Sequence, residues 1–167
     1  MKTVNPIAAP VATTWPKRSR FLAWTAGIIG GVVLLALLGV VAMIWRMNYV
    51  PTDLDLSTTR LSAQGLYQAT IRPKVKPIPV NKIHTWVLRL ESPNGQPIEN
   101  AEIRVDGDMP QHGHGLPTRP QVTQNLGSGD YLIEGLKFQM GGWWVIDFEI
   151  TANGSSDKVS FNLMLQK

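Results

Sequence analysis

Hydrophobic and polar positions follow two different rules along this chain. From Phe21 to Trp45 the run FLAWTAGIIGGVVLLALLGVVAMIW carries no charge and has no polar face. At a rise of about 1.5 Å per residue, a helix over this stretch exceeds a hydrocarbon core of about 30 Å, so the pattern predicts a transmembrane helix. Trp24 and Trp45 stand near its ends, where amphipathic rings favour the headgroup region. Residues 46–62 lose all periodicity and read as a linker. Beyond them the period becomes two. Tyr67, Ala69 and Ile71 alternate with polar neighbours, as do His84, Trp86, Leu88 and Leu90, then Ala101, Ile103 and Val105. QVTQNL and YLIEGLKF flank the turn signal GSGD. WWVIDFEI offers Trp144, Ile146, Phe148 and Ile150 to one face, and KVSFNLML offers Val159, Phe161, Leu163 and Leu165. Runs of this kind separated by turn residues predict an all-β domain over 63–167, an immunoglobulin-like antiparallel β-sandwich of about seven strands.

The alternative to an anchor is a cleaved signal peptide. Its apolar region normally spans about 7–15 residues and ends at a small-residue cleavage site; this run is longer, and VVAMIWRMNYV offers no such site. Lys2, Lys17, Arg18 and Arg20 precede the helix without an acid, whereas Arg46, Asp53 and Asp55 follow it. The positive-inside rule therefore puts residues 1–20 in the cytoplasm and the domain on the periplasmic or extracellular side. The formal net charge of +4 reflects that flank and a Pro-rich basic loop, RPKVKPIPVNK. Without an aromatic-interleaved basic patch it does not imply nucleic-acid binding. The chain has no cysteine, so an exported domain must hold together by its core alone. Ala23, Gly27 and Gly31 form a small-residue stripe through which two helices could dimerise, although glycine is common in membrane helices.

Candidate chemistry concentrates in DGDMPQHGHGLP, residues 106–117, which holds two of the three histidines. If the strand of His84 and the strand of Val105 form a hairpin across PNGQP, with Glu91 opposite Glu102, then His84 falls opposite Met109. Met140, in FQMGGWW, returns to the same end. Parity thus gathers His84, Met109, His112, His114 and Met140 as candidate metal ligands. Imidazole suits copper, zinc and nickel, and thioether favours Cu(I), so copper leads and zinc follows. Asp106 and Asp108 are hard donors, but DGD lacks the rest of a calcium loop. Each residue also has an ordinary structural explanation. His112 and His114 suit an exposed turn, His84 a hydrogen-bonded place at the core edge, and Met140 core filling; Met109, in the polar loop, is the better thioether candidate. The NGS at Asn153 is a formal glycosylation sequon in a turn.

The order M-P-x-H-x-H-G, then G-x-Y, then L-x-F-x-M-x-G-W resembles the YtkA-like domains. The matching residues are Met109, Pro110, His112, His114 and Gly115; Gly129 and Tyr131; and Leu136, Phe138, Met140, Gly142 and Trp143. One membrane helix ahead of such a domain is also similar to the FixH proteins, which are linked to assembly of copper-containing respiratory oxidases. The donor types and the apolar helix lead to the expectation of a membrane-anchored extracytoplasmic copper-binding or copper-delivery protein held in the lipid bilayer, and the resemblance adds a membrane complex such as a copper-containing oxidase as its partner. The competing expectation is a metal-free interaction or assembly module, or an accessory subunit. An enzyme is not expected: no G-x-S-x-G, H-E-x-x-H or thiol is present, and hydrolysis needs a nucleophile beside its base.

Overall fold

A computed structural model of the chain describes residues 18–166, with backbone alone at 18–23, 25 and 26. The chain divides into two units after Trp45. Helix α1, Arg18–Asn48, extends the expected 21–45 by about a turn at its C-terminal end, and its stretch Gly27–Asn48 is long and apolar enough to cross a membrane. Trp24 and Trp45 are exposed, and a Cβ added at Gly27 or Gly31 would meet nothing within 4 Å. Most of the expected cytoplasmic tail, residues 1–17, and the side chain of Ala23 lie outside the described residues.

The second unit is antiparallel β. Its strands are β1 Thr59–Leu61, β2 Gln68–Pro73, β3 His84–Glu91, β4 Ala101–Met109, β5 His114–Gly115, β6 Gln121–Gly127, β7 Asp130–Leu136, β8 Gly142–Ala152 and β9 Ser155–Leu165. All seven expected strands are present, and β1 and β5 are short additions. Strand β1 begins inside the stretch expected to be a linker, so that stretch is shorter than its polar composition suggests. The order is β1-β2-β3-β7-β6-β4-β8-β9, with β5 on β4. A single pairing, Arg104 with Gln121, joins β6 to β4, so the sheet folds into a nearly closed sandwich. Across the remaining gap, the Arg60 guanidinium donates to the Ser160 carbonyl (2.8 Å) and the Ala63 N–H to the Lys158 carbonyl (2.8 Å).

Period-two burial builds the core. Trp86, Phe138, Trp144, Phe148 and Phe161 are fully enclosed, each stabilising the fold by roughly 1.5–3 kcal/mol. The Phe138 ring lies 5.2 Å from that of Trp144. Two tyrosines fasten the layers. The Tyr67 hydroxyl is shared between the Ala152 and Ser155 carbonyls (2.9 and 2.7 Å) and accepts from the Ala152 N–H (3.2 Å). The Tyr131 hydroxyl donates to the Ile98 carbonyl (2.7 Å) and accepts from the Ala101 N–H (3.0 Å).

The expected hairpin between β3 and β4 does not form. PNGQP does turn, with the Ser92 N–H donating to the Gln96 carbonyl (2.8 Å) and Ile98 N–H to the Leu90 carbonyl (3.0 Å). The return lasts one bridge, Glu91 with Pro97. The edge of β3 is then taken by β7, beginning with the Leu90 N–H on the Gly129 carbonyl (2.7 Å). Gly129, at φ +77°, has no room for a side chain between the Leu90 carbonyl and Pro97. Strand β4 crosses to the other layer, where Glu102 pairs with Thr151 rather than Glu91. The parity argument therefore used the wrong partner.

Candidate metal centre

The candidate residues still reach one end of the sandwich, by other pairings. His84 opens β3 opposite Leu136, the last residue of β7; Met109 closes β4; Met140 precedes β8. The pairing Asp108 with Val145 brings the end of β4 to the start of β8.

The turn carrying His112 and His114 is tight. The N–H groups of His112 and Gly113 both donate to the Met109 carbonyl (3.0 and 2.9 Å), and Gly113 takes φ +64°, which costs glycine little. Strand β5 then returns along β4, pairing His114 with Met109 and Gly115 with Asp108. The Leu116 N–H continues the return onto the Gly107 carbonyl at 3.0 Å. Both imidazoles are exposed, their centroids 6.1 Å apart and their planes inclined by 24°. With metal–nitrogen bonds of about 2.0 Å, a ring centroid stands roughly 3 Å from its ion. The observed separation is thus near the upper limit for one shared ion.

The other three candidates differ in access. Met109 is 1% exposed: its terminal methyl lies so close to Gly142 that a Cβ there would approach it to 2.6 Å. The Met140 side chain is accessible, while its carbonyl accepts from the Trp144 indole (3.0 Å). His84 is buried beside Phe138 (5.4 Å) and Trp86 (6.1 Å), with Nδ1 donating to the Lys82 carbonyl at 3.1 Å. Its Nε2 is enclosed without a protein partner. Burial lowers its pKa against the opposing pull of the Lys82 carbonyl, which favours the neutral form of the ring. Sequence reasoning placed Met109 outside and Met140 inside; their burial is the reverse.

Asp106 and Asp108 point outward from β4. Burial first, then repulsion from Asp147 and Asp106, raises the Asp108 pKa. Among the described residues, no group of three or more His, Cys, Asp or Glu is placed to hold a metal ion. Of the five candidate residues, the accessible ones are the two turn histidines and, at the same end, the Met140 thioether. Sequence reasoning missed Gln139, whose amide donates to the Gly115 carbonyl (3.3 Å) and ties the β7–β8 corner to β5. A lone glutamine in a connection carries no periodic signal.

Fold and turn together define a β-sandwich domain, preceded by an apolar helix, that presents an accessible histidine pair at one end. The chain belongs to the YtkA-like family, whose model matches residues 62–149. That match spans the H-x-H turn and both glycine–aromatic elements. No curated protein matches the chain. Among solved structures, the ZirS C-terminal domain is similar at 12% identity and a TM-score of 0.34, covering 69% of this chain and 75% of that one.

Proposed function

We propose that the chain is a membrane-anchored extracytoplasmic protein that binds copper at the β4–β5 turn and delivers it to a membrane complex such as a copper-containing oxidase. His112 and His114 supply the nitrogen donors. Met140 supplies a thioether, and the soft pairing of thioether with imidazole favours Cu(I) over zinc, whose usual donors are cysteine, histidine and carboxylate. The observation that carries this reading is the exposed imidazole pair, 6.1 Å apart on a turn fixed by two hydrogen bonds to one carbonyl. Its preorganisation supports capture, and its exposure supports release to an acceptor. No catalytic role is assigned.

One observation favours a second reading, a metal-free assembly module: Met109 and His84 are both built into the core, leaving few donors outside it. Metal analysis and Cu(I) and Cu(II) titration of fragment 50–167, beside a His112→Ala/His114→Ala variant, separate the two. About one copper per chain, lost in the variant, supports the carrier. No binding by the folded wild-type fragment refutes the carrier and leaves the module.

A further inference from the structure

The β2–β3 loop has a chemistry that neither reading uses. Its residues 74–83, KVKPIPVNKI, hold three lysines and no acid. Lys74, Lys76 and Lys82 are exposed, and among the described residues none has an ion-pair partner. Between them Val75 and Ile83 are 52% and 68% exposed. The loop is nevertheless fixed to the sandwich. The Lys74 N–H donates to the Thr85 carbonyl (3.0 Å), the Asn81 N–H to the Phe138 carbonyl (2.6 Å), and Val80 bridges Phe138. Lysines and apolar side chains are therefore presented together without the cost of ordering a free segment.

The route of the chain sets what this loop can meet. The Ile71 N–H donates to the Thr58 carbonyl (2.8 Å), and β1 runs antiparallel to β2. The segment preceding β1 therefore leaves toward the end of β2 that carries the loop. The Asn162 amide ties that segment at the Asp55 carbonyl (3.1 Å). Residues 49–54 alone connect this tie to the last helical residue, a reach of at most about 25 Å fully extended. The loop thus belongs to the end of the domain from which the chain departs for its apolar segment.

We propose that the β2–β3 loop docks the domain on the anionic headgroup surface of the bilayer that anchors the chain. Lys74, Lys76 and Lys82 meet lipid phosphates, while Val75 and Ile83 enter the apolar boundary beneath them. This rests on the anchored reading and is independent of copper. The H-x-H turn lies at the same end of the sandwich, so docking would hold it facing the membrane, where a bilayer-embedded acceptor has its outer surface.

Fragment 50–167 retains the whole buried core, Tyr67 to Leu165, and is suited to sedimentation with phosphatidylcholine vesicles with and without phosphatidylglycerol. Binding is expected on the anionic vesicles alone, weakening as salt shortens the Debye length. At about five-fold per lysine, Lys74→Gln/Lys76→Gln/Lys82→Gln should weaken it on the order of 100-fold, with an unchanged circular dichroism spectrum. The His112→Ala/His114→Ala variant should bind vesicles like the wild type. No binding to anionic vesicles, or equal binding by the folded triple-lysine variant, overturns the proposal; in the first case an acidic protein surface becomes the candidate for the loop. Release of the full-length chain from membranes by alkaline carbonate would remove the anchored reading, and this proposal with it.

Discussion

Gly142→Ala probes how rigidly the candidate end of the sandwich is packed. Gly142 takes φ +124°, a region L residues rarely adopt, and a Cβ there would approach the Met109 methyl to 2.6 Å. Backbone strain of this kind costs about 1–3 kcal/mol, and forcing a methyl into a packed core costs about 1–3 kcal/mol more. The substitution should therefore destabilise the domain by roughly 2–6 kcal/mol. Met109 is a flexible side chain, so the steric part can be separated from the backbone part. Met109→Ala alone should cost about 2–5 kcal/mol by leaving a cavity. In the double variant the overlap disappears, and the combined loss should fall short of the sum of the singles by about 1–2 kcal/mol. Urea unfolding of fragment 50–167 and its three variants, followed by tryptophan fluorescence, measures the cycle. A Gly142→Ala loss below about 0.5 kcal/mol, the range of ordinary surface substitutions, would refute the packing argument. Strict additivity would show that the Met109 methyl is not the obstacle.

Three further outcomes follow from the same structure. Tyr67→Phe removes a buried hydroxyl bonded to Ala152 and Ser155, and equilibrium unfolding should show a loss of about 1–3 kcal/mol; a neutral result would contradict the role of this latch. His84 has a folded pKa held below its ordinary value, first by burial, so the unfolded chain binds the proton more readily. Its contribution is complete above about pH 6.5 and is lost as pH falls toward the folded pKa. Asp108, raised by burial and by its acidic neighbours, acts with the opposite sign, so the comparison is with His84→Gln. Denaturation across about pH 5–7 should show a slope in the wild type that the variant lacks, and identical slopes would overturn the assignment. His112→Ala/His114→Ala should change stability by less than about 0.5 kcal/mol, because both rings are exposed; a larger loss in thermal melts would mean that the turn supports the fold.

The sequence was most legible where local period and burial agree. His84, Trp86, Leu88 and Leu90 alternate along β3 and are all buried, and β8 and β9 behave likewise. Met109 was misjudged because its loop is polar, yet it continues the inward parity of Ile103 and Gly107. Extending that alternation two residues beyond Gly107 would have placed it inside. Gly107 hides the continuity: a Cβ there would meet Ile146 at 2.5 Å, so glycine stands where the pattern calls for an apolar side chain.

By itself, the sequence determined the apolar helix, the antiparallel class of the domain, the main strand faces and the H-x-H turn, because each is written in residue period or in glycine and proline chemistry over a few positions. Partnership was decided by tertiary structure. PNGQP turns as its residues require, but whether β3 then pairs with β4 or β7 depends on which distant backbone reaches the Leu90 N–H, and Gly129 does so from about forty residues away. The same nonlocal competition enclosed Met109 and His84 and left the imidazoles of His112 and His114 in solvent, since access depends on what packs above a side chain and not on its neighbours in the chain.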